Sequence, residues 1–468
     1  MPRVHLIGIC GTAMAALAAM LKRRGCAVRG SDADVYPPMS TFLEREGIPV
    51  LQGYDAAHIT ADLDLVVIGN AVSRGNVEVE EVLDRKIRYC SLPEAVREHF
   101  LWGARSIVIA GTHGKTTTTA LAGWLLVHGG LDPSVLVGGI AADLGGEGAS
   151  YRLGLGREFV IEGDEYDSAF FDKTAKFLKY LPDVAVVGNI EFDHADIYED
   201  LASVRLAFRR LVNLVPRSGL LVLGADSPDA AAFRPVARSR VETFGLADGA
   251  DWQAYDLEAL PSGVRFRVQR ARSPLGLFEI PLAGSHNVRN ALAAMAVAAE
   301  AGVDAGAMRE GLATFRGVKR RLERVGTARG VTILDDFAHH PTAVRETLNA
   351  VRASHPDARI WAVFEPRSAS SCRRIFQDAF AGSFGAADEV VVARVYRSDL
   401  PGPERLSAER LVEDLNASGT KARFLPDVDA IVGAIASEAR DGDFVVIMSN
   451  GGFGGIHGRL LAALQRDS

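Results

Sequence analysis

The sequence predicts an α/β protein with mostly parallel sheets, divided into three units. Three times the chain enters a pattern of apolar β-branched strand, Gly-containing or acidic turn, and helix, and each entry is followed by further strand and helix alternation. Short apolar strands alternating with helical segments are the pattern of parallel sheets covered on both faces. At 468 residues the chain is also too long for one hydrophobic core, and ~150 residues per domain gives about three. The entries divide it at 1–103, 104–321 and 322–468.

The first unit opens on "VHLIGICGTAMAALAAMLKRRG" and continues through "DLVVIGNAV". Its turn "GICGTA" has the form of the dinucleotide fingerprint G-x-G-x-x-A, with Cys10 in the second Gly position and Asp32 at the tip of the next strand, which makes this unit Rossmann-like. The second Gly normally lets backbone touch a pyrophosphate, so its loss argues against a nicotinamide dehydrogenase. A uridine or adenosine diphosphate over the helix start stays open.

The second unit starts at "IVIAGTHGKTTTTA". Gly111 and Gly114 stand where backbone approaches a ligand, Lys115 adds a charge for outer phosphates, and the Thr116 hydroxyl can reach Mg²⁺. The strict Walker spacing wants Gly at position 109, but Ile109 is there, so the loop is a shortened variant. A turn that merely caps a helix has no need of a Lys followed by four threonines. Downstream, "FVIEGDEYD" places Glu162, Asp164, Glu165 and Asp167 after an apolar strand, and "VAVVGNIEFDHAD" adds Asn189, Glu191, Asp193, His194 and Asp196. Acidic residues at neighbouring strand ends beside a phosphate loop point to metal and substrate binding. The helix beginning "GSHNVRNALAA" carries His286, Asn287 and Asn290, where Asn287 alone reads equally as a cap. "RRLE" places Arg320 and Arg321 at the junction, as a solvated pair or as a cation that swings onto phosphate.

The third unit runs from "GVTILDDFAHHP" to "DFVVIMSNGGFGGIHGRLLAAL" and reads as a second Rossmann-like sheet. Its strand ends carry Asp335, Asp336, His339 and His340, then Glu365, Arg367 and Ser368, then Ser449 and Asn450. In open α/β sheets ligands bind beyond the carboxyl ends of the strands, so these loops are expected to share one cleft.

Composition excludes several classes. A net charge of −7 gives no electrostatic case for nucleic acid. The four cysteines are scattered, without metal-site or disulfide spacing. The apolar run "TAMAALAAML" follows a strand and precedes its basic cluster, unlike a signal peptide. No run reaches the ~20 apolar residues of a membrane span. A cytoplasmic protein that binds neither nucleic acid nor membrane is the expectation; oligomeric state is not legible.

Taken in order, "GTHGKTTT", "EGDEYD", "NIEFDHAD", "GSHNVRNALAA", "RRLE" and "DDFAHHP" resemble the Mur ligase family, ATP-dependent amide-forming enzymes of peptidoglycan metabolism. The resemblance covers nearly the whole chain. It implies a UDP-sugar-binding unit, a central ATPase and a C-terminal unit that receives the incoming amine, with ATP and Mg²⁺ as cofactors. Two substrate classes come near: L-alanine added to UDP-N-acetylmuramate, and the murein tripeptide L-alanyl-γ-D-glutamyl-meso-2,6-diaminopimelate added to the same sugar nucleotide in recycling. "GICGTAM", "DADVYPPMS", "EPRSASS" and "SNGGFGGIH" resemble the tripeptide-adding members.

The resemblance also implies roles. Gly8, Cys10, Gly11, Thr12, Asp32 and Asn70 would hold the UDP-sugar. Gly111, Thr112, His113, Gly114, Lys115, Thr116 and Thr117 would hold ATP, with Asn287, Asn290, Arg321 and Asp336 around it. Thr116 and Glu165 would bind one Mg²⁺ and His194 a second, while Lys115, His194, Arg321 and His339 would serve the chemistry. Arg367, Ser368, Ser449 and Asn450 would contact the peptide, Arg367 through a carboxylate unless it is a surface residue. The base for the amine is His339 or a substrate phosphate oxygen. His113 either touches phosphate or shapes its turn. The carbamylated lysine of several family members has no counterpart, since "YEDLASVRLAFRRLVNL" lacks lysine. A regulatory GTPase would need a guanine-reading N-K-x-D segment, and none is present.

Overall fold

The computed structural model describes residues 1–145, 150–397 and 400–466. Its strands form three main sheets. The first has five parallel strands in the order Val50–Gln52, Ala27–Asp32, Arg3–Ile7, Leu65–Ile68, Tyr89–Ser91. The order reverses at Arg3–Ile7, and the turn after that strand leads into the helix Thr12–Arg23. That reversal is the switch point at which doubly wound sheets leave a crevice.

The central sheet has ten strands. Arg105–Ala110 lies between Val184–Val187 and Glu158–Gly163, parallel to both. The phosphate loop, the acidic loop 164–166 and the loop 188–196 therefore leave the same sheet edge side by side. Alternation along Arg105–Ala110 serves two cores. Val108 and Ala110 face a cluster shared with the first unit, while Ile107 and Ile109 face the helices Lys115–His128 and Ser285–Glu300. The central sheet is mostly parallel, as expected, with antiparallel pairing at both edges: Tyr151–Arg152 runs against Ser134–Leu136 at one, and Trp252–Leu260, Gly263–Arg270 and Ser273–Ile280 form an antiparallel meander at the other. Tight reversals produce it: Gly263 has φ 148, and Ala271 and Arg272 take φ 47 and 69. Short hairpins permit antiparallel pairing, whereas a parallel crossover needs a longer connection.

The third sheet runs Glu323–Ala328, Val331–Asp336, Phe444–Met448, Ile360–Phe364, Glu389–Val392, Lys421–Phe424, with only the first strand antiparallel. Ile360, Ala362 and Phe364 pack into one core, and Trp361 and Val363 into the opposite one. No helix among the described residues is long and apolar enough to cross a membrane.

Candidate active site

The phosphate loop is built by its glycines. Gly114 is the N-cap of Lys115–His128 in a left-handed conformation, φ 83, and the cap carries no side-chain hydrogen bond. A Cβ there would lie 2.4 Å from Asn290 Oδ1, so the helix Ser285–Glu300 closes down on the loop at this point. Gly111, at φ 140, backs onto the Gly188 and Asn189 amides. The loop is then pinned to the neighbouring strand end: Thr112 N–H donates to the Asn189 carbonyl (2.9 Å), His113 N–H to Asn189 Oδ1 (2.8 Å), and Glu191 N–H to Thr112 Oγ1 (2.9 Å).

Lys115 is buried, its Nζ donating to the Gly111 carbonyl (2.8 Å) and Glu165 Oε2 (2.8 Å). Burial opposes the charge, but Glu165, Asp164 and Glu162 around it hold the ammonium above its ordinary range. Glu165 in turn accepts from His194 Nε2 at 3.1 Å. Against its burial, Lys115 and His194 keep this carboxylate below the usual range. The same contact raises the His194 imidazole despite burial. His194 sits at φ 54 with its ring 4.1 Å from that of Tyr166. Thr116 Oγ1 donates to Glu162 Oε1 at 2.8 Å, and burial together with Asp164 raises Glu162. The structure divides the expected metal residues otherwise than the resemblance implies: Thr116 bonds Glu162 rather than Glu165, and Glu165 bonds His194. Glu162 stands in the acidic motif but outside the set expected from resemblance; its position at the end of the strand next to the loop was the available signal.

The junction arginines divide. Arg320, at φ 61, turns into the third unit, donating to the Ser449 and Gly451 carbonyls (2.6 and 2.8 Å) and pairing with Asp335. Arg321 reaches across to Thr116 Oγ1 (3.3 Å) and lies over the Phe337 ring. A cleft of about 1050 Å³ connects these groups, extending from Thr12 in the first unit to Arg345 and Glu346 in the third. Asn287, Asn290, Asp336 and His339 all line it. Asn287 Nδ2 donates to the Ala283 carbonyl and its Oδ1 accepts from Asn290. Asp336 is buried, accepting from the Leu322 and Ala338 amides and from Thr347 Oγ1 (2.7, 2.8 and 3.2 Å), and burial raises its carboxyl. Burial pushes the His339 imidazole down, and its Nδ1 contacts the Phe337 carbonyl.

In the first unit the turn residue Gly8 has φ 82, and Cys10 N–H donates to Asp32 Oδ2 at 2.8 Å. Asp32 therefore closes the fingerprint turn on itself. Gly11 caps the helix that begins at Thr12, and Asn70 is exposed beyond the adjoining strand. In the third unit Arg367 stacks on Tyr396 at 3.6 Å and lies 3.7 Å from Glu365. Ser449 Oγ donates to Glu365 Oε2 (2.5 Å), Ser368 Oγ bonds Ser371, and Asn450 Oδ1 is a buried acceptor. Glu365 links Arg367 and Ser449, which gathers the ends of two neighbouring strands in the third unit. Arg367, Ser368, Ser449 and Asn450 are not among the residues lining the cleft around Lys115.

Comparison with known proteins adds a whole-chain likeness. The description "Mur ligase family, catalytic domain" matches residues 3–101, "Mur ligase middle domain" 109–298, and "Mur ligase, glutamate ligase domain" 320–451. The chain is 41% identical to the Escherichia coli protein named UDP-N-acetylmuramate--L-alanyl-gamma-D-glutamyl-meso-2,6-diaminoheptandioate ligase, over 99% of this chain and 98% of that one. It is 37% identical to a UDP-N-acetylmuramate--L-alanine ligase of Salinibacter ruber, over 96% and 92%. Among solved structures, a murein peptide ligase of Psychrobacter arcticus superposes with a TM-score of 0.74 at 36% identity, covering 99% of both chains.

Proposed function

The chain belongs to the Mur ligase family, and from that premise we propose that it joins the tripeptide L-alanyl-γ-D-glutamyl-meso-diaminopimelate to UDP-N-acetylmuramate with ATP, in peptidoglycan recycling. The full-length identity to the E. coli tripeptide ligase carries the choice of amine. The groups lining the cleft suit the activation chemistry.

A carboxylate is a poor acylating agent. Transfer of the γ-phosphoryl group to the lactyl carboxylate of UDP-N-acetylmuramate gives an acyl phosphate, and attack by the tripeptide's α-amine on the acyl carbon releases phosphate and leaves an amide. The first step demands positioning and charge neutralisation more than covalent help. The uncapped helix start after Gly114 suits an anion, because its amides point outward and its dipole is positive there. Lys115 would release Glu165 to meet the outer phosphates, and Arg321 would add charge from across the junction.

The donor set Thr116, Glu162, Glu165 and His194 fits Mg²⁺, which takes hard oxygen ligands and tolerates one imidazole beside waters and phosphate. When bound, Mg²⁺ would neutralise phosphate charge. His339, held low by burial, is a neutral imidazole suited to take a proton from the amine. Asp336 would orient the strand end that carries His339. The UDP-sugar would lie over the helix start at Thr12, which lines the same cleft. Arg367 would hold a peptide carboxylate, its plane already set by Tyr396.

The test supplies Mg-ATP and UDP-N-acetylmuramate with either the tripeptide or L-alanine and follows phosphate release. Release with the tripeptide is expected; release with L-alanine alone would make the chain an L-alanine ligase.

A further inference from the structure

Three side chains outside the Thr116, Glu162, Glu165, His194 set converge where the phosphate loop meets the third unit: His113, Glu191 and His340. His113 Nε2 lies 3.1 Å and His340 Nδ1 3.4 Å from the same oxygen, Glu191 Oε2, and one donor atom from each residue lies within 4.8 Å of the others. The rings are 4.7 Å apart between centroids. Zn²⁺ held by imidazole nitrogens and a carboxylate at ~2.0–2.2 Å puts neighbouring donors roughly 3.3 Å apart in a tetrahedron. The two contacts to Glu191 already have that spacing.

The tautomer supplies an independent observation. His340 Nε2 lies 3.1 Å from the Phe192 carbonyl, a contact that places its proton on Nε2 and leaves the lone pair on Nδ1, facing Glu191. Two acceptors, the Nδ1 lone pair and a carboxylate oxygen, therefore stand 3.4 Å apart. Among the described residues, the one proton directed at Nδ1 is that of the Thr342 amide, at a long 3.3 Å. A ring nitrogen that donates to a backbone carbonyl while its partner nitrogen faces a carboxylate is the arrangement that surrounds metal-ligating histidines.

We propose that His113, Glu191 and His340 bind a borderline divalent transition-metal ion of the Zn²⁺ class, staples the phosphate loop to the third unit, and leave a fourth position open to water or a ligand oxygen. Two imidazoles and one carboxylate select such an ion over Mg²⁺, which prefers oxygen. The metal takes the Nδ1 lone pair in place of the Thr342 contact. The site is separate from the pairs Thr116 with Glu162 and Glu165 with His194, so the inference stands whichever amine the enzyme uses. Its physical effect is to fix the third unit against the loop. Excess Zn²⁺ is therefore expected to slow turnover while raising the melting temperature.

The experiment uses the full chain stripped of metal by a chelator. Zn²⁺ is titrated against a chromophoric chelator in the presence of excess Mg²⁺, and Co²⁺ absorption reports coordination geometry. One equivalent of Zn²⁺ should bind with Mg²⁺ present, and Co²⁺ should give the intense visible bands of a tetrahedral site. His340→Asn, which keeps a residue able to cap the helix Pro341–Ser354, and Glu191→Gln should each weaken binding at least tenfold. Glu165→Gln should leave it unchanged. Melting curves without metal check that each variant folds. Binding lost in Glu165→Gln but kept in His340→Asn, or displaced by Mg²⁺, would overturn the proposal.

Discussion

Lys115 shows how a single residue couples stability to chemistry. Its ammonium is the cation hydrogen-bonded to the buried Glu165, with the half-buried acids Glu162 and Asp164 nearby. Removing one partner of a buried pair leaves an uncompensated charge and costs ~3–5 kcal/mol. Lys115→Met should therefore lower the urea midpoint markedly, and Lys115→Met with Glu165→Gln should recover part of that loss, because the orphaned carboxylate is gone. Turnover should fall at least ~10³-fold in both, since cations aimed at a transferring phosphoryl group carry effects of that size. A double variant no more stable than the single one would show that Glu165 does not rely on Lys115. Gly114→Ala is the sharper steric case. A methyl at φ 83 would strain the left-handed backbone and meet Asn290 Oδ1 at 2.4 Å, so the Asn290 side chain must leave its place over the loop. Nucleotide affinity measured by calorimetry should drop at least tenfold. The Gly itself was legible as a turn residue; the contact that requires it comes from a helix more than 170 positions away and was not.

At the scale of elements, the junction after the helix Ala305–Thr314 places two adjacent arginines in different units. Arg320→Ala should loosen the third sheet and lower its thermal stability, because it removes donors to Ser449 and Gly451 and the pair with Asp335. Arg321→Ala should leave the melting temperature nearly unchanged and reduce kcat. The motif "RRLE" could not say which arginine faces which way, because the left-handed backbone at Arg320 sets the direction. The strand, loop and helix order around both nucleotide-type turns was legible because apolar runs end in glycines and acids there. The antiparallel meander was not, since alternating residues in three hairpin strands resemble the other short strands until pairing is known. The strand Ile360–Phe364 carries a pH test. Asp443 is buried, which would raise its carboxyl, but Arg359, the Arg440 amide and Trp361 Nε1 hold it below the ordinary range. Its depressed folded-state pKa means the unfolded chain takes up the proton first as pH falls. The stability it gives is full above the unfolded value near 4 and is lost below it, through the folded value. The difference in stability between wild type and Asp443→Asn should be constant from pH 8 to 5 and shrink below about 4. A difference that grows on acidification would contradict the assignment.

At the scale of the molecule, the three units are joined unequally. The first unit and one face of the central sheet share a continuous apolar core, with Phe100 against Phe159 and Phe42 against Tyr151. The third unit has its own two cores and meets the central one mostly through polar contacts, Arg320 and Arg321 at the junction, the His194 amide on Ser370 Oγ and His340 on the Phe192 carbonyl, with Phe192 stacked on Phe376 as an apolar contact between them. Apolar burial is the dominant cohesive term in folding. The first two units should therefore unfold together and the third on its own. Trp361, fully buried in the third sheet, and Trp252, fully buried in the central one, report the two separately. In urea, the fluorescence of a variant whose only tryptophan is Trp361 and of one whose only tryptophan is Trp252, with Trp102, Trp124 and the other tryptophan replaced by Phe in each, should give different midpoints. A ligand held by all three units acts on both transitions, because neither part can unfold without releasing it. At a hundred times its dissociation constant it adds ~2.7 kcal/mol to the folded state. A non-hydrolysable Mg-ATP analogue with UDP-N-acetylmuramate should therefore bring the two midpoints together, since the cleft runs from Thr12 to Glu346. A ligand set that raises only the Trp252 midpoint would mean that the third unit does not close on the bound substrates.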